Sequence, residues 1–70
     1  MGVVISPKRL DREMARRGWT SADLAEASGL SGATIAAARA GRPVSPRTLG
    51  SIARAFAHAK PLDEVDSLLL

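Results

Sequence analysis

The chain has 70 residues, a formal charge of +3 and no cysteine. A chain of this length forms one domain that buries only about 60% of the surface exposed by its unfolded form, which excludes a large enclosed active site. The lack of cysteine excludes a disulfide framework and a thiolate metal site, and the hydrophobic share of 46% includes thirteen alanines, which suits closely packed helices.

Charge and the first residues bear on partner and location. The pI of about 10.7 makes a polyanion the first partner to consider, although a solvated basic surface explains the same charge. Basic residues crowd the first quarter, at Lys8, Arg9, Arg12, Arg16 and Arg17. Acidic residues lie near the end, at Asp63, Glu64 and Asp66.

The apolar run in 1–6 is too short for a signal peptide or a membrane span, so we expect a soluble cytoplasmic protein with no membrane partner.

The first predicted elements are an arm and a helix. Residues 1–6 contain Val-Val-Ile, the one candidate for extended structure, and we expect a flexible N-terminal arm there. Ser6 is a good N-cap, and Pro7 suits the first helical position because its missing N–H is not needed. Gly18 is a helix stop, so helix one is predicted over 7–17.

Two short helices are predicted next. Thr20, with an acidic residue three positions later, resembles a capping box, and Gly29 supplies a stop, which predicts helix two over 21–28. Ser31 caps a third, alanine-rich run over 32–40, which another glycine closes.

Two apolar stripes follow. Ser45 and Pro46 repeat the opening of helix one and start helix four. Its apolar residues recur with helical period, at Leu49, Ile52, Ala53 and Phe56. A shorter stripe after Pro61 predicts helix five, with Leu62, Val65 and Leu69. The pattern predicts an all-α domain.

The central stretch, TSADLAEASGLSGATIAAARAG at about 20–41, resembles the helix-turn-helix of the lambda-repressor-like family, also called the Cro/CI or XRE type. At the fifth, ninth and fifteenth positions of this motif the family expects a small residue, a glycine and a β-branched aliphatic residue. Ala25, Gly29 and Ile35 occupy these positions. Ala25 permits a close helix crossing, Gly29 tolerates a left-handed turn, and Ile35 holds helix three on the core.

The resemblance covers about residues 7–69 and implies one compact five-helix domain over 1–70, with the helix-turn-helix at helices two and three. It implies a transcription regulator, in particular a repressor, that binds double-stranded DNA, encoded by a bacterium or phage and acting at the nucleoid. The run GRPVSPRTLGSIARAFA is also similar to the segment after the motif in the LacI-type headpiece, but helix one favours the Cro/CI type.

By this resemblance helix three, about 32–40, is the recognition helix. Ile35 and Ala38 should point inward. The outward positions are small, at Gly32, Ala33, Ala36 and Ala37. Alanine cannot form hydrogen bonds with base edges, but it can contact thymine methyl groups. Polar readout is left to Ser31, Thr34 and Arg39.

Phosphate contacts are expected at two helix starts and in one loop. Thr20 and Ser21 begin helix two and Ser31 begins helix three, and helix N-termini favour anions. Arg42 follows helix three and Arg47 opens helix four, where relatives carry backbone-contacting basic residues.

One ion pair of the family is missing from the sequence. Many relatives join an arginine in helix one to a glutamate at the end of the recognition helix. The corresponding positions here are Met14 and Arg39. Met14 is therefore expected in the core, and Arg39 is left to meet a phosphate, a base or Glu13.

No residue pattern points to chemistry. Trp19 stands where relatives place a large apolar residue, so we expect it in the core. His58 is the only histidine, which is too few for a metal site. We therefore expect no enzyme activity, no cofactor and no small-molecule ligand.

Two interpretations of the partner stay open. The first is DNA, bound by a homodimer that forms through the apolar C-terminal segment. This segment contains Leu62, Val65, Leu68, Leu69 and Leu70. The second is a protein-interaction module that has kept the fold and lost specific DNA recognition, suggested by the Gly and Ala face of helix three.

Overall fold

The structure is a computed structural model that describes residues 1–62 and 68. The described part contains four helices, α1 (Pro7–Arg17), α2 (Ser21–Ser28), α3 (Gly32–Arg39) and α4 (Pro46–His58). The all-helical fold is confirmed, and α3 ends one residue earlier than predicted. The count of five helices is not matched, and most of the segment expected to form helix five lies outside the described residues.

Local sequence fixes where the helices begin and end. Each helix has an N-cap hydroxyl that accepts a hydrogen bond from the backbone N–H three residues later, at Ser6, Thr20, Ser31 and Ser45. At Thr20 the capping box is complete, since its own N–H donates to the Asp23 carboxylate over 2.8 Å. Gly18 and Gly29 end α1 and α2 with φ of 69° and 72°, a left-handed conformation that other residues rarely adopt.

The core lies where α2 packs against α3 and α4, and where α1 contacts α3. Leu24 and Ile35 are completely buried and Met14 is 3% exposed. The other buried apolar residues are Leu10, Ala38, Val44, Ile52 and Ala55. Met14 and Ile35 are thus core residues, as predicted. The stripe of α4 is less buried than expected, because Leu49 is 41% exposed.

The N-terminal arm is extended, as expected, and it is tied to the domain rather than free along its length. Val3 forms an antiparallel bridge with Val44: the Val3 N–H donates to the Val44 carbonyl over 2.7 Å, and the Val44 N–H donates to the Val3 carbonyl over 2.8 Å. A Cβ at Gly2 would lie 2.8 Å from the Cβ of Pro43, so the arm passes directly against the loop after α3.

The far end of α4 is closed by α1. Trp19 stacks on Phe56 with ring centroids 5.7 Å apart and packs against the core, as predicted. Arg17, which the sequence groups with the surface basic residues, has a side chain only 7% exposed. Its guanidinium donates to the carbonyls of Phe56 and Ala59, so it caps α4 and is not part of a basic surface.

Within the described residues, none of the helices is both long enough and apolar enough to cross a membrane.

Candidate nucleic-acid interface

The turn between α2 and α3 holds the two helices in a fixed relation. Gly29 takes the left-handed conformation, and the Leu30 N–H then donates to the Ala25 carbonyl over 3.1 Å. Ala25 and Leu30 are partly buried against the core. Leu24 on α2 and Ile35 on α3 fill that core without any exposed surface. The opposite side of α3 is thereby turned outward.

The outward side of α3 carries no polar group at its exposed centre. Gly32, Ala33 and Ala36 are exposed and Ala37 is half-buried, whereas Ala38 is completely buried. The predicted orientation of α3 therefore agrees with the structure. An α-helix fits the major groove of B-DNA, and a helix with such small side chains can approach the base edges closely.

A surface groove runs along one side of α3. It has a volume of about 350 Å³. Ala33, Thr34 and Ala37 form one wall, and residues 43–45 together with Thr48 form the other. The sequence singled out the first wall. It did not single out the second as part of a site, because those residues matter through their position beside α3.

The hydroxyl groups at the helix starts are occupied within the protein. The Thr20 side chain accepts from the Asp23 N–H, and the Ser31 side chain accepts from the Thr34 N–H over 3.2 Å. Hydrogen bonds from the Thr20 backbone and hydroxyl keep the pKa of the Asp23 carboxyl below its ordinary value. Thr20, Asp23 and Ser31 are exposed, and their hydrogen bonds shape the N-terminal turns of α2 and α3 at the surface.

Two arginines stand beside the groove. Arg42 precedes its second wall, and Arg47 lies within the first turn of α4. Both are exposed, and within residues 1–62 and 68 neither side chain has an ion pair or a hydrogen bond. A cation in the first turn of a helix opposes the helix dipole, so Arg47 is placed unfavourably for stability.

Arg39 joins three helices. Its Nε donates to Asp11 Oδ1 on α1 over 3.2 Å, and its Nη1 donates to Ser21 Oγ at the start of α2 over 2.6 Å. An ion pair therefore joins α1 to the end of α3 through Asp11 and not through the position of Met14, with the acid on α1 and the arginine on α3. The sequence did not single out Asp11.

Glu13, one of the partners expected for Arg39, is engaged elsewhere. Its carboxylate lies 2.8 Å from Nη1 of Arg17 and 2.9 Å from Nη1 of Arg16. The hydrogen bond from Arg17, reinforced by Arg16, lowers the pKa of Glu13, although partial burial opposes this shift. The Arg16 side chain thus lies along α1 against Glu13, and the Arg17 side chain lies between Glu13 and the end of α4.

Two helices at a glycine turn, the second with one face in the core and one face exposed, define a helix-turn-helix domain. A family model described as Cro/C1-type HTH DNA-binding domain matches residues 9–57, well over half of the chain. The chain therefore belongs to this family. No curated protein and no solved structure matches the chain significantly.

The matched range contains all eleven residues predicted for the DNA site, and none of them is buried. They form three groups at the surface. The first group lies at the start of α2 and consists of Thr20 and Ser21. The second group lies on the exposed side of α3, from Ser31 to Arg39. The third is the pair Arg42 and Arg47. Arg39 links the first two groups through Ser21. In the described part of the chain, no three His, Cys, Asp or Glu side chains come together as metal ligands would.

Proposed function

We propose that the protein is a sequence-selective transcriptional repressor that docks α3 in the major groove of double-stranded DNA. The observation that carries this proposal is the outward side of α3, where the residues before Arg39 are small. Arg42 and Arg47 flank this side and have no ion pair among the described residues. Bases would meet Ala33 and Ala36, while phosphates would meet the two arginines and the first turn of α2.

The small residues of α3 suggest that different contacts supply the affinity for DNA and the preference for a sequence. Hydrogen bonds to base edges are limited to Ser31, Thr34 and Arg39, and the first two already bond to each other over 2.9 Å. Affinity would therefore come mainly from phosphates, and sequence preference from methyl contacts and the shape of the duplex. The protein would act as a binder without catalysis or cofactor, at the nucleoid of a bacterial cell.

A dimer would compensate for a recognition helix that can form few hydrogen bonds with bases. Two copies related by a two-fold axis would place two α3 helices about 34 Å apart, one turn of DNA, and would raise affinity without new base contacts. Exposed leucines at the end of the chain support an apolar contact between copies. Leu62 is 52% exposed and Leu68 is 80% exposed.

A second candidate function is a protein-interaction module. The groove beside α3 favours it, because each of its walls carries apolar residues onto which a partner helix could pack, Ala33 and Ala37 on one wall and Pro43 and Val44 on the other. In that case the exposed side of α3 would bind protein instead of DNA.

The salt dependence of binding to a random duplex tests both candidates. Phosphate contacts release counterions, so four such contacts would weaken binding on the order of 100-fold between 50 and 200 mM salt. An apolar protein contact would not weaken in this way. Selection of bound fragments from random DNA then tests sequence preference. If no duplex binds at low salt, repression by DNA binding is excluded and the interaction module gains.

A further inference from the structure

Arg39 is the only long polar side chain of α3, whose sequence is GATIAAAR. It lies three residues after Ala36 and seven after Gly32, so it shares their exposed side of the helix. An unrestrained arginine at this place would reach a phosphate or a guanine edge in any duplex that meets α3.

In this structure two hydrogen bonds restrain the guanidinium of Arg39. Asp11 of α1 accepts from its Nε over 3.2 Å, and Ser21 of α2 accepts from its Nη1 over 2.6 Å. Both acceptors lie outside α3, so these two hydrogen bonds occupy the guanidinium and hold its tip against α1 and the start of α2. The side chains of Arg39 and Asp11 are 42% and 55% exposed, so water and ions reach the pair and DNA can compete for it.

We infer that Asp11 is a specificity-determining residue that withholds Arg39 from arbitrary DNA. This inference rests on the proposed function, and it concerns how that function discriminates between duplexes. Phosphate contacts supply essentially all of the affinity for random sequences. Holding one guanidinium back therefore weakens random duplexes more than a duplex that fits the small residues of α3 and gains its affinity there.

The test is a double-mutant cycle on the full chain with Asp11→Ala, Arg39→Ala and the double variant. Dissociation constants are measured for a random duplex and for a duplex selected by the protein itself. Asp11→Ala should tighten binding to the random duplex about three- to fivefold, the strength of an exposed ion pair. It should also steepen the dependence of log K on log salt by about one unit, for one added phosphate contact.

Two comparisons separate release of Arg39 from the mere loss of a negative charge. Glu26→Ala is the matched charge control, since Glu26 is exposed and has no ion pair among residues 1–62 and 68. In the Arg39→Ala background, Asp11→Ala should change random-duplex binding no more than Glu26→Ala does. On the selected duplex Asp11→Ala should tighten binding less than it does on the random duplex. Thermal melts of all variants verify that the fold is kept.

The outcomes are distinct. A gain on the random duplex that vanishes without Arg39 supports the inference. A gain of equal size with and without Arg39 overturns it, because Asp11 then acts only as a repulsive charge. No gain, or a loss, overturns it as well. If the wild-type protein binds no duplex, the proposed function fails, and the inference fails with it.

Discussion

The guanidinium of Arg17 lies over the ring of Phe56, 4.7 Å from the ring centroid, at the place where α4 ends. From there its Nε donates to the Ala59 carbonyl over 2.7 Å and its Nη2 donates to the Phe56 carbonyl over 2.9 Å. The last residue of α1 thus supplies a donor to the Ala59 carbonyl and a second donor to the Phe56 carbonyl, which also accepts from the Ala59 N–H over 3.3 Å. A cation at a helix C-terminus also interacts favourably with the helix dipole.

We expect Arg17→Met to lower the free energy of unfolding by about 1–3 kcal/mol, because it keeps the apolar stem but removes the guanidinium donor to the part-buried Ala59 carbonyl and one of the donors to the Phe56 carbonyl and the Glu13 carboxylate. Urea unfolding measures this loss. Arg54→Met is the control, since Arg54 is exposed and makes one long hydrogen bond, 3.4 Å, to Ser51. A change within about 0.5 kcal/mol is expected there. Equal losses in both variants would contradict the capping role.

The capping role of Arg17 could not be predicted from the sequence. Arg16 and Arg17 stand next to each other in a basic stretch, which predicts a surface. The partners of the Arg17 guanidinium on α4 are separated from it by 39 and 42 positions. Caps and turns, in contrast, depend on residues three or four positions apart, so the bounds of α1 and α2 could be predicted from Ser6, Thr20 and the glycines that follow.

Stability should depend on Glu13 in a pH-specific way. Hydrogen bonds from Arg17 and Arg16 lower the pKa of Glu13 in the folded state below the unfolded value. The carboxylate therefore contributes stability above the unfolded pKa, and this contribution is lost as the pH falls through the folded pKa. The difference in unfolding free energy between wild type and Glu13→Gln should be larger at pH 7 than at pH 3.

Glu26→Gln is the control for this pH dependence, because Glu26 is exposed. Measured over the same pH range, it shows how much of the change comes from removing any exposed carboxylate of the domain. If the Glu13→Gln difference changes no more than that of Glu26→Gln, the hydrogen bonds of the Glu13 carboxylate contribute nothing to stability.

Gly29 and Gly32 provide a matched pair for the turn of the helix-turn-helix. A Cβ at either position would meet no atom within 4 Å, but Gly29 has a φ of +72° and Gly32 begins α3 with an ordinary helical backbone. Gly29→Ala should lower the unfolding free energy by about 1–2 kcal/mol through backbone strain alone. Gly32→Ala should be neutral or should raise it by up to about 1 kcal/mol.

Urea unfolding of the two variants measures both effects. Gly29→Val should be worse than Gly29→Ala, because a β-branched residue is a stronger outlier at positive φ. A tolerant Gly29 together with a sensitive Gly32 would show that the turn does not set the angle between α2 and α3.

In the candidate site, as at Arg17, contacts between residues far apart in the sequence could not be predicted. The resemblance to the family's motif placed Ile35 inward, and helical spacing from it then predicted that Ala38 faces inward and that Gly32 and Ala36 face outward. The partner of Arg39 depends on how α1 crosses α3, which no pattern within either helix contains. Asp11 was missed for this reason, and so was the wall of the groove at 43–48.

Arg42→Ala and Arg47→Ala should each weaken binding to all duplexes by similar factors. Each should also lower the salt slope by about one unit, because one phosphate contact is lost without any loss of base readout. Arg54→Ala is the control, an exposed arginine on α4 outside the groove wall. Fluorescence anisotropy over a series of salt concentrations measures the slopes. If both variants behave like Arg54→Ala, the docking surface lies elsewhere on the domain.

The last prediction concerns self-association. Leu68 is 80% exposed and Val4 is 63% exposed, so each offers an apolar side chain that the domain itself does not cover. If the C-terminal leucines form the two-fold contact, Leu68→Ser should raise the dimer dissociation constant at least about tenfold, since burying a leucine side chain contributes about 1.5–3 kcal/mol and each 1.4 kcal/mol is about a factor of ten. Val4→Ser should leave it unchanged. Sedimentation equilibrium of the full chain at micromolar to high micromolar concentration measures both constants. A wild-type protein that stays monomeric over this range and binds a palindromic duplex without cooperativity would show that the tail does not join two copies. An equal effect of both substitutions would instead point to unspecific apolar association, because only a defined interface distinguishes one exposed apolar side chain from another.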